Sequence, residues 1–137
     1  MRFDSKYFDN FKYTKEQIKD NIDNALKDLS IAKKDSIIEV KFDYSYKALI
    51  KAGIALASFY GRKIKSLPGH HVKIIEMIAG ELKDDSVDDI GNVMRSKRNT
   101  DFYGGGIEIT EKESREYLEF VSSVVGKINR IICDGIS

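Results

Sequence analysis

Residues 52–61, AGIALASFYG, decide how this chain folds: they are apolar around most of a helical circumference and rich in small side chains, Ala52, Gly53, Ala55, Ala57 and Ser58. A surface of that kind lets neighbouring helices approach closely from several directions, so the segment reads as the central helix of a bundle. The apolar run around it extends from Ile37 to about Lys63. On either side stand helices with a single buried face. Ile18, Ile22, Ala25, Leu29 and Ala32 recur at intervals of three and four before it, as do Tyr117, Val121, Val124, Ile128 and Ile131 near the C-terminus.

The helix starts share a signature. Thr14-Lys15-Glu16-Gln17, Ser36-Ile37-Ile38-Glu39 and Thr110-Glu111-Lys112-Glu113 each set a hydroxyl three residues before Glu or Gln, the spacing at which the two side chains satisfy orphan amides reciprocally. Ser86-Val87-Asp88-Asp89 is an acidic variant. Leu67-Pro68-Gly69, around the single proline, turns the chain into a short helix with Val72, Ile75, Ile78, Ala79 and Leu82 inward; Val87, Ile90, Val93 and Met94 begin the next. The expected fold is all-α: an up-and-down four-helix bundle plus one short helix, a single domain over residues 14–137. Residues 1–13 form an aromatic N-terminal arm that docks through Phe3, Tyr7 and Phe11. No strand-like alternation runs longer than the few residues IEIT.

Composition narrows the setting. Hydrophobic residues at 42% and charged residues at 33% suit a folded protein with a highly charged exterior. Because 23 Lys and Arg face 22 Asp and Glu, any attraction for a polyanion must come from a local patch. Cys133 is the only cysteine, so no disulfide forms within the chain, and its place on an apolar helical face makes it a core thiol. No stretch approaches the roughly 18 apolar residues of a membrane span, and the N-terminus is charged where a signal peptide is apolar. A cytoplasmic protein without membrane contact is expected.

Charge concentrates in residues 94–106, MRSKRNTDFYGGG. Arg95, Arg98 and Asn99 stand three or four residues apart on one side of a helix, while Lys97 projects about 100° away from Arg98. Cations closing a helix before glycines complement its dipole, which is the ordinary reading of such a stretch. Chemistry offers a second one. Paired guanidinium groups suit bidentate phosphate contacts, Asn99 adds a donor and an acceptor, Tyr103 a ring and a hydroxyl, and Gly104, Gly105 and Gly106 let backbone amides approach an anion.

With FDYSYKALIKAGIALASFYG, residues 42–61, and LPGHHVKIIEMIAGEL, residues 67–82, this stretch resembles the HEPN family, small helical-bundle proteins of prokaryotic defence and toxin–antitoxin systems. The resemblance spans residues 42–132 and centres on the R-N-x-x-x-Y-G pattern of Arg98, Asn99, Tyr103 and Gly104. It implies a bundle that forms a homodimer, often with a nucleotidyltransferase partner protein, and a nucleotide or RNA ligand. Catalytic members of the family are metal-independent endoribonucleases with an R-x4-6-H motif, in which arginine and histidine act on the RNA phosphate and the neighbouring 2′-hydroxyl. On that pattern Arg98 matches the arginine, and Tyr103 stands where the histidine would be.

A tyrosine titrating near 10 is a poorer general base than a histidine near 6.5, so phosphate binding at Arg95, Arg98, Asn99, Tyr103 and Gly104 ranks above RNA cleavage by Arg98 and Tyr103. His70 and His71, the only histidines, are accessory candidates from another helix; being adjacent, they point about 100° apart and do not form an i,i+4 zinc pair. The carboxylates Asp84, Asp85, Asp88 and Asp89 read as a solvated helix start. No metal and no cofactor are expected. The third reading is a helical interaction scaffold whose basic turn is ordinary surface.

Overall fold

The structure is a computed structural model that describes residues 3–104 and 108–136, with side chains as far as Thr100 in the first of these segments. Its elements are β1 (Phe8–Asn10), α1 (Lys15–Lys34), α2 (Ile38–Phe59), β2 (Arg62–Ile64), α3 (His70–Leu82), α4 (Asp85–Gly104) and α5 (Glu111–Ile136). The fold is all-α, a helical bundle with one minimal sheet. Helix α2 is its centre: it touches α1, α3, α4 and α5, while α1 also packs on α5 and α3 pairs with α4.

Small residues are what permit this. Ala48, Ala52, Ala55 and Ala57 of α2 are buried, and a Cβ placed on Gly53 would run into Ile74 Cγ2 and stand 2.8 Å from Ile78 Cδ1, so α3 lies directly on the glycine backbone. The stripe Ile18, Ile22, Ala25, Leu29 and Ala32 of α1 is buried as its period indicates. Asp28 is buried among them, 2.7 Å from the Lys51 ammonium of α2.

Two of the four helix starts carry the reciprocal hydroxyl cap. Thr14 Oγ1 accepts from the Gln17 amide at 3.1 Å and Gln17 Oε1 from the Thr14 amide at 2.9 Å; Thr110 and Glu113 do the same at 3.1 and 3.0 Å. Ser36 does not cap α2. The helix begins one residue too late for it, with Ile37 at the cap position, and Asp35 Oδ1 takes the Ile37 amide at 2.8 Å instead. At α4 the cap is Asp84 rather than Ser86: its Oδ1 accepts from the Ser86 amide and hydroxyl at 3.0 and 2.6 Å, and those bonds hold its carboxyl below the usual carboxylate range.

Further corrections concern single residues. Residues 8–10 pair antiparallel with 62–64, in the register Phe8↔Ile64, Asp9↔Lys63 and Asn10↔Arg62; three-residue strands are too short for a period of two to register in sequence. The arm turns at residues 4–8, where the Tyr7 and Phe8 amides both return to Asp4 O at 2.9 Å, and is extended from Phe8 to Asn10, so one helical spacing does not apply to it: Phe8 is buried, with Phe3 edge-on at 5.3 Å, and Phe11 is 43% exposed. The IEIT segment forms no strand over its described residues 108–110. Cys133 is exposed, since the inward stripe of α5 passes through Val121, Val125, Ile128 and Ile132 and leaves the next position facing out; its Sγ meets Asn129 Oδ1 at 3.4 Å. Val93 is likewise exposed, whereas Val87 and Met94 are buried.

Candidate anion-binding cleft

The turn before α3 builds one wall of a cleft. Gly69 sits at the helix cap with φ +82°, a left-handed conformation that a side chain would strain, and no side chain caps this end. The first amides of a helix have no partner inside it, so the amino end of α3 is left as an open set of N–H donors with the positive pole of the helix behind them. The His70 amide returns to Leu67 O at 3.0 Å, and His70 Nδ1 lies 2.8 Å from the same carbonyl. A carbonyl only accepts, so Nδ1 carries a proton, and Nε2 is the ring nitrogen free to act as an acceptor.

Helix α4 supplies the other wall. Arg95, Arg98 and Asn99 face residues 66–72 across an open cleft of about 480 Å³, which both histidines also line. Arg98 and His71 also border a second hollow of about 200 Å³ between Tyr46, Ile50 and Ile54 of α2, with Lys47 and Lys51 at its edge. Lys97 takes no part. Its ammonium lies 3.5 Å from Glu108 O and 4.0 Å from the Glu113 carboxylate, on the side facing the start of α5.

Helix α2 fixes the electrostatics of this corner. Arg98 lies over the Tyr46 ring, Cζ 5.5 Å from its centroid, with Nε 3.6 Å from Asp43 Oδ1. That separation is an ion pair beyond hydrogen-bond reach, and the buried Nε has no hydrogen-bond partner among the described residues. Asp43 itself is drawn to Lys47 at 3.0 Å. Arg95 is steadied from within α4 by Asn92 Oδ1 at 3.3 Å, and Asn92 in turn donates to Asp88 O at 2.8 Å.

His71, a third of a turn beyond His70, points inward, its Nδ1 2.9 Å from Tyr46 Oη. Burial, then His70, Arg98 and Arg95, lower its pKa to about 4. Burial also pushes the Tyr46 hydroxyl up to about 12 against the pull of Arg98 and Arg95. At neutral pH this pair is uncharged.

The structure thus brings together five of the sequence candidates, Arg95, Arg98, Asn99, His70 and His71, from two helices. Helix α4 continues to Gly104, so Arg95 and Arg98 lie before its last turn, which contains no basic residue; the helix-end account of this charge does not hold. Gly104 is the last residue of the helix. The side chain of Tyr103 and the whole of Gly105 and Gly106 lie outside the described residues. Sequence reasoning missed Asp43 and Tyr46. Their spacing on one face of α2 was visible, but which helix covers that face was not.

Among the described residues no three His, Cys, Asp or Glu side chains gather to hold a metal, and no helix is long and apolar enough to cross a membrane. Fold and site together define an all-α bundle with a cationic cleft between two of its helices. Compared with family models, curated proteins and solved structures, the chain matches none.

Proposed function

We propose that this chain is a HEPN-like helical protein that binds the phosphate of a nucleotide or RNA between the start of α3 and the Arg95–Arg98–Asn99 face of α4. One observation carries the reading: two guanidinium groups and an uncapped helix amino end line the same open cleft. Each alone is common surface, whereas together they offer charged and neutral donors to one anion. The adjoining hollow beside Arg98 and His71 gives a ligand larger than inorganic phosphate room for a base, which favours a nucleotide. In this reading the chain works in the cytoplasm as a homodimer with a nucleotidyltransferase-type partner, in a toxin–antitoxin or defence setting.

The test is calorimetric titration of the full chain with AMP and a short RNA. Wild type binds both, and Arg95→Ala/Arg98→Ala loses binding while keeping its helical melting transition. If the wild type takes neither, the phosphate reading falls and the scaffold reading stands.

A second reading, metal-independent RNA cleavage, is favoured by His70, which lines the same cleft as Arg98 and has its Nδ1 held by Leu67 O, leaving Nε2 as the nitrogen free to accept a proton. It needs a proton acceptor for the 2′-hydroxyl and a cation for the phosphate. Incubation with labelled RNA in EDTA separates the two: cleavage by wild type that disappears in both Arg98→Ala and His70→Asn establishes the ribonuclease. Intact RNA with wild type leaves binding as the function.

A further inference from the structure

The loop that carries the uncapped end of α3 is held from behind by the N-terminal arm. We infer that Tyr7 is a positioning residue for the anion cleft, setting where the open amides of His71 and Val72 point; the inference rests on the phosphate reading above. Tyr7 engages this loop twice. Its carbonyl accepts from the Lys65 amide at 2.7 Å, at the point where β2 ends, and its hydroxyl donates to Pro68 O at 3.3 Å, immediately before Gly69. The four-residue segment Lys65–Pro68 is therefore anchored at both ends by one residue of the arm.

The surroundings tie Tyr7 in turn. The β1–β2 pairing begins at the next residue, Phe8, which is buried in the core cluster. Asp4 reaches the Lys73 ammonium on the first turns of α3 at 3.4 Å, and Lys73 lies 5.5 Å from the centroid of the Tyr7 ring. Gly69 takes φ +82° directly after the Pro68 bond, and a Cβ there would stand in ordinary contact with Tyr7 Oη at 3.6 Å, so glycine is required at this position by the backbone angle and not by the tyrosine. Tyr7 is not among the residues lining the cleft, so it acts through the loop and not on the ligand. The strength of an anion site made from backbone amides depends on their direction, and the arm sets that direction from about 60 residues away in sequence.

Tyr7→Phe removes the hydroxyl and leaves the ring, the strand and the Lys65 bond. Calorimetry with AMP is expected to show an affinity about 3- to 10-fold weaker than wild type, the loss that one hydrogen bond commands. The ¹H–¹⁵N amide resonances of Gly69, His71 and Val72 move, while those of the α1–α5 core stay in place, a pattern that general destabilisation does not produce. Unchanged affinity in Tyr7→Phe beside wild-type binding overturns the inference alone. Failure of wild type to bind AMP sinks the reading of the cleft and the inference with it.

Discussion

Acidification provides a quantitative test of the cleft through His71. In the unfolded chain this imidazole takes up its proton as pH falls through about 6.5, whereas in the folded protein uptake waits until about 4, because burial and the neighbouring Arg98 and Arg95 oppose it. Between those values the unfolded state holds the extra proton, so stability falls as pH drops through that window and levels off below about 4. At about 1.4 kcal/mol per pH unit the full displacement is worth about 3 kcal/mol. His71 is only partly buried, and solvent screening reduces the expected loss to about 1–2 kcal/mol, or about 4–8 °C in Tm. The assay is thermal unfolding at pH 7.5 and 4.5 for wild type and His71→Gln, a variant that keeps a polar partner for Tyr46. Carboxylates titrate in both proteins, so the difference between the two pH slopes belongs to His71. Superimposable slopes, or an NMR midpoint for the His71 ring near 6.5, would refute the desolvated site.

Three further outcomes probe the scaffold. Gly53→Ala forces a methyl against Ile74 and Ile78; overpacking at about 1–3 kcal/mol exceeds the helix propensity gain of about 1 kcal/mol, so Tm drops, and an unchanged Tm would contradict the close α2–α3 approach. Asp35→Ala costs about 0.5–1 kcal/mol in urea unfolding while Ser36→Ala stays within about 0.5, because Asp35 holds the first free amide of α2. Lys51→Met leaves the Asp28 carboxylate buried without its counter-ion, a loss of about 1–3 kcal/mol that Asp28→Asn in the same chain largely recovers; no recovery would mean that Lys51 acts through packing alone.

What the sequence disclosed followed from whether a feature is local. The stripe of α1 and the boxes at Thr14 and Thr110 are set by residues three or four apart, and they stand in the structure as written. The Ser36 box satisfied the same spacing and failed, because Asp35 both closes α1 and opens α2 and so shifts the start by one residue. The β1–β2 pairing joins segments more than 50 residues apart through backbone bonds, which side-chain patterning does not encode. Cys133 and Val93 were placed inward by a period that is right to within one residue, and one residue on a helix is about 100°. Of the site, Arg95, Arg98 and Asn99 were legible from their spacing on one helix. Their meeting with His70 and His71 required the α3–α4 pairing, and the Asp43–Tyr46 support required the face of α2 on which Arg98 lies.

The way that support is built bears on the choice between holding a phosphate and cleaving one. Proton transfer at neutral pH needs groups that exchange protons there. His71, at about 4, stays a neutral imidazole and Tyr46, at about 12, a neutral phenol, so the pair joined at 2.9 Å is poorly matched to proton exchange at neutral pH. What it does provide is a neutral, buried floor beneath Arg98. A neutral floor leaves the guanidinium uncompensated except by Asp43, which sits at 3.6 Å, too far for a hydrogen bond, and is shared with Lys47. In the proposed binding reading, an arginine with so loose a partner would give up little on turning to an incoming anion, which the open amides of α3 would meet from the opposite wall. Among the described histidines a catalytic role would therefore fall to His70 with Arg98, while the proposed binding role draws on Arg95, Arg98 and Asn99 together.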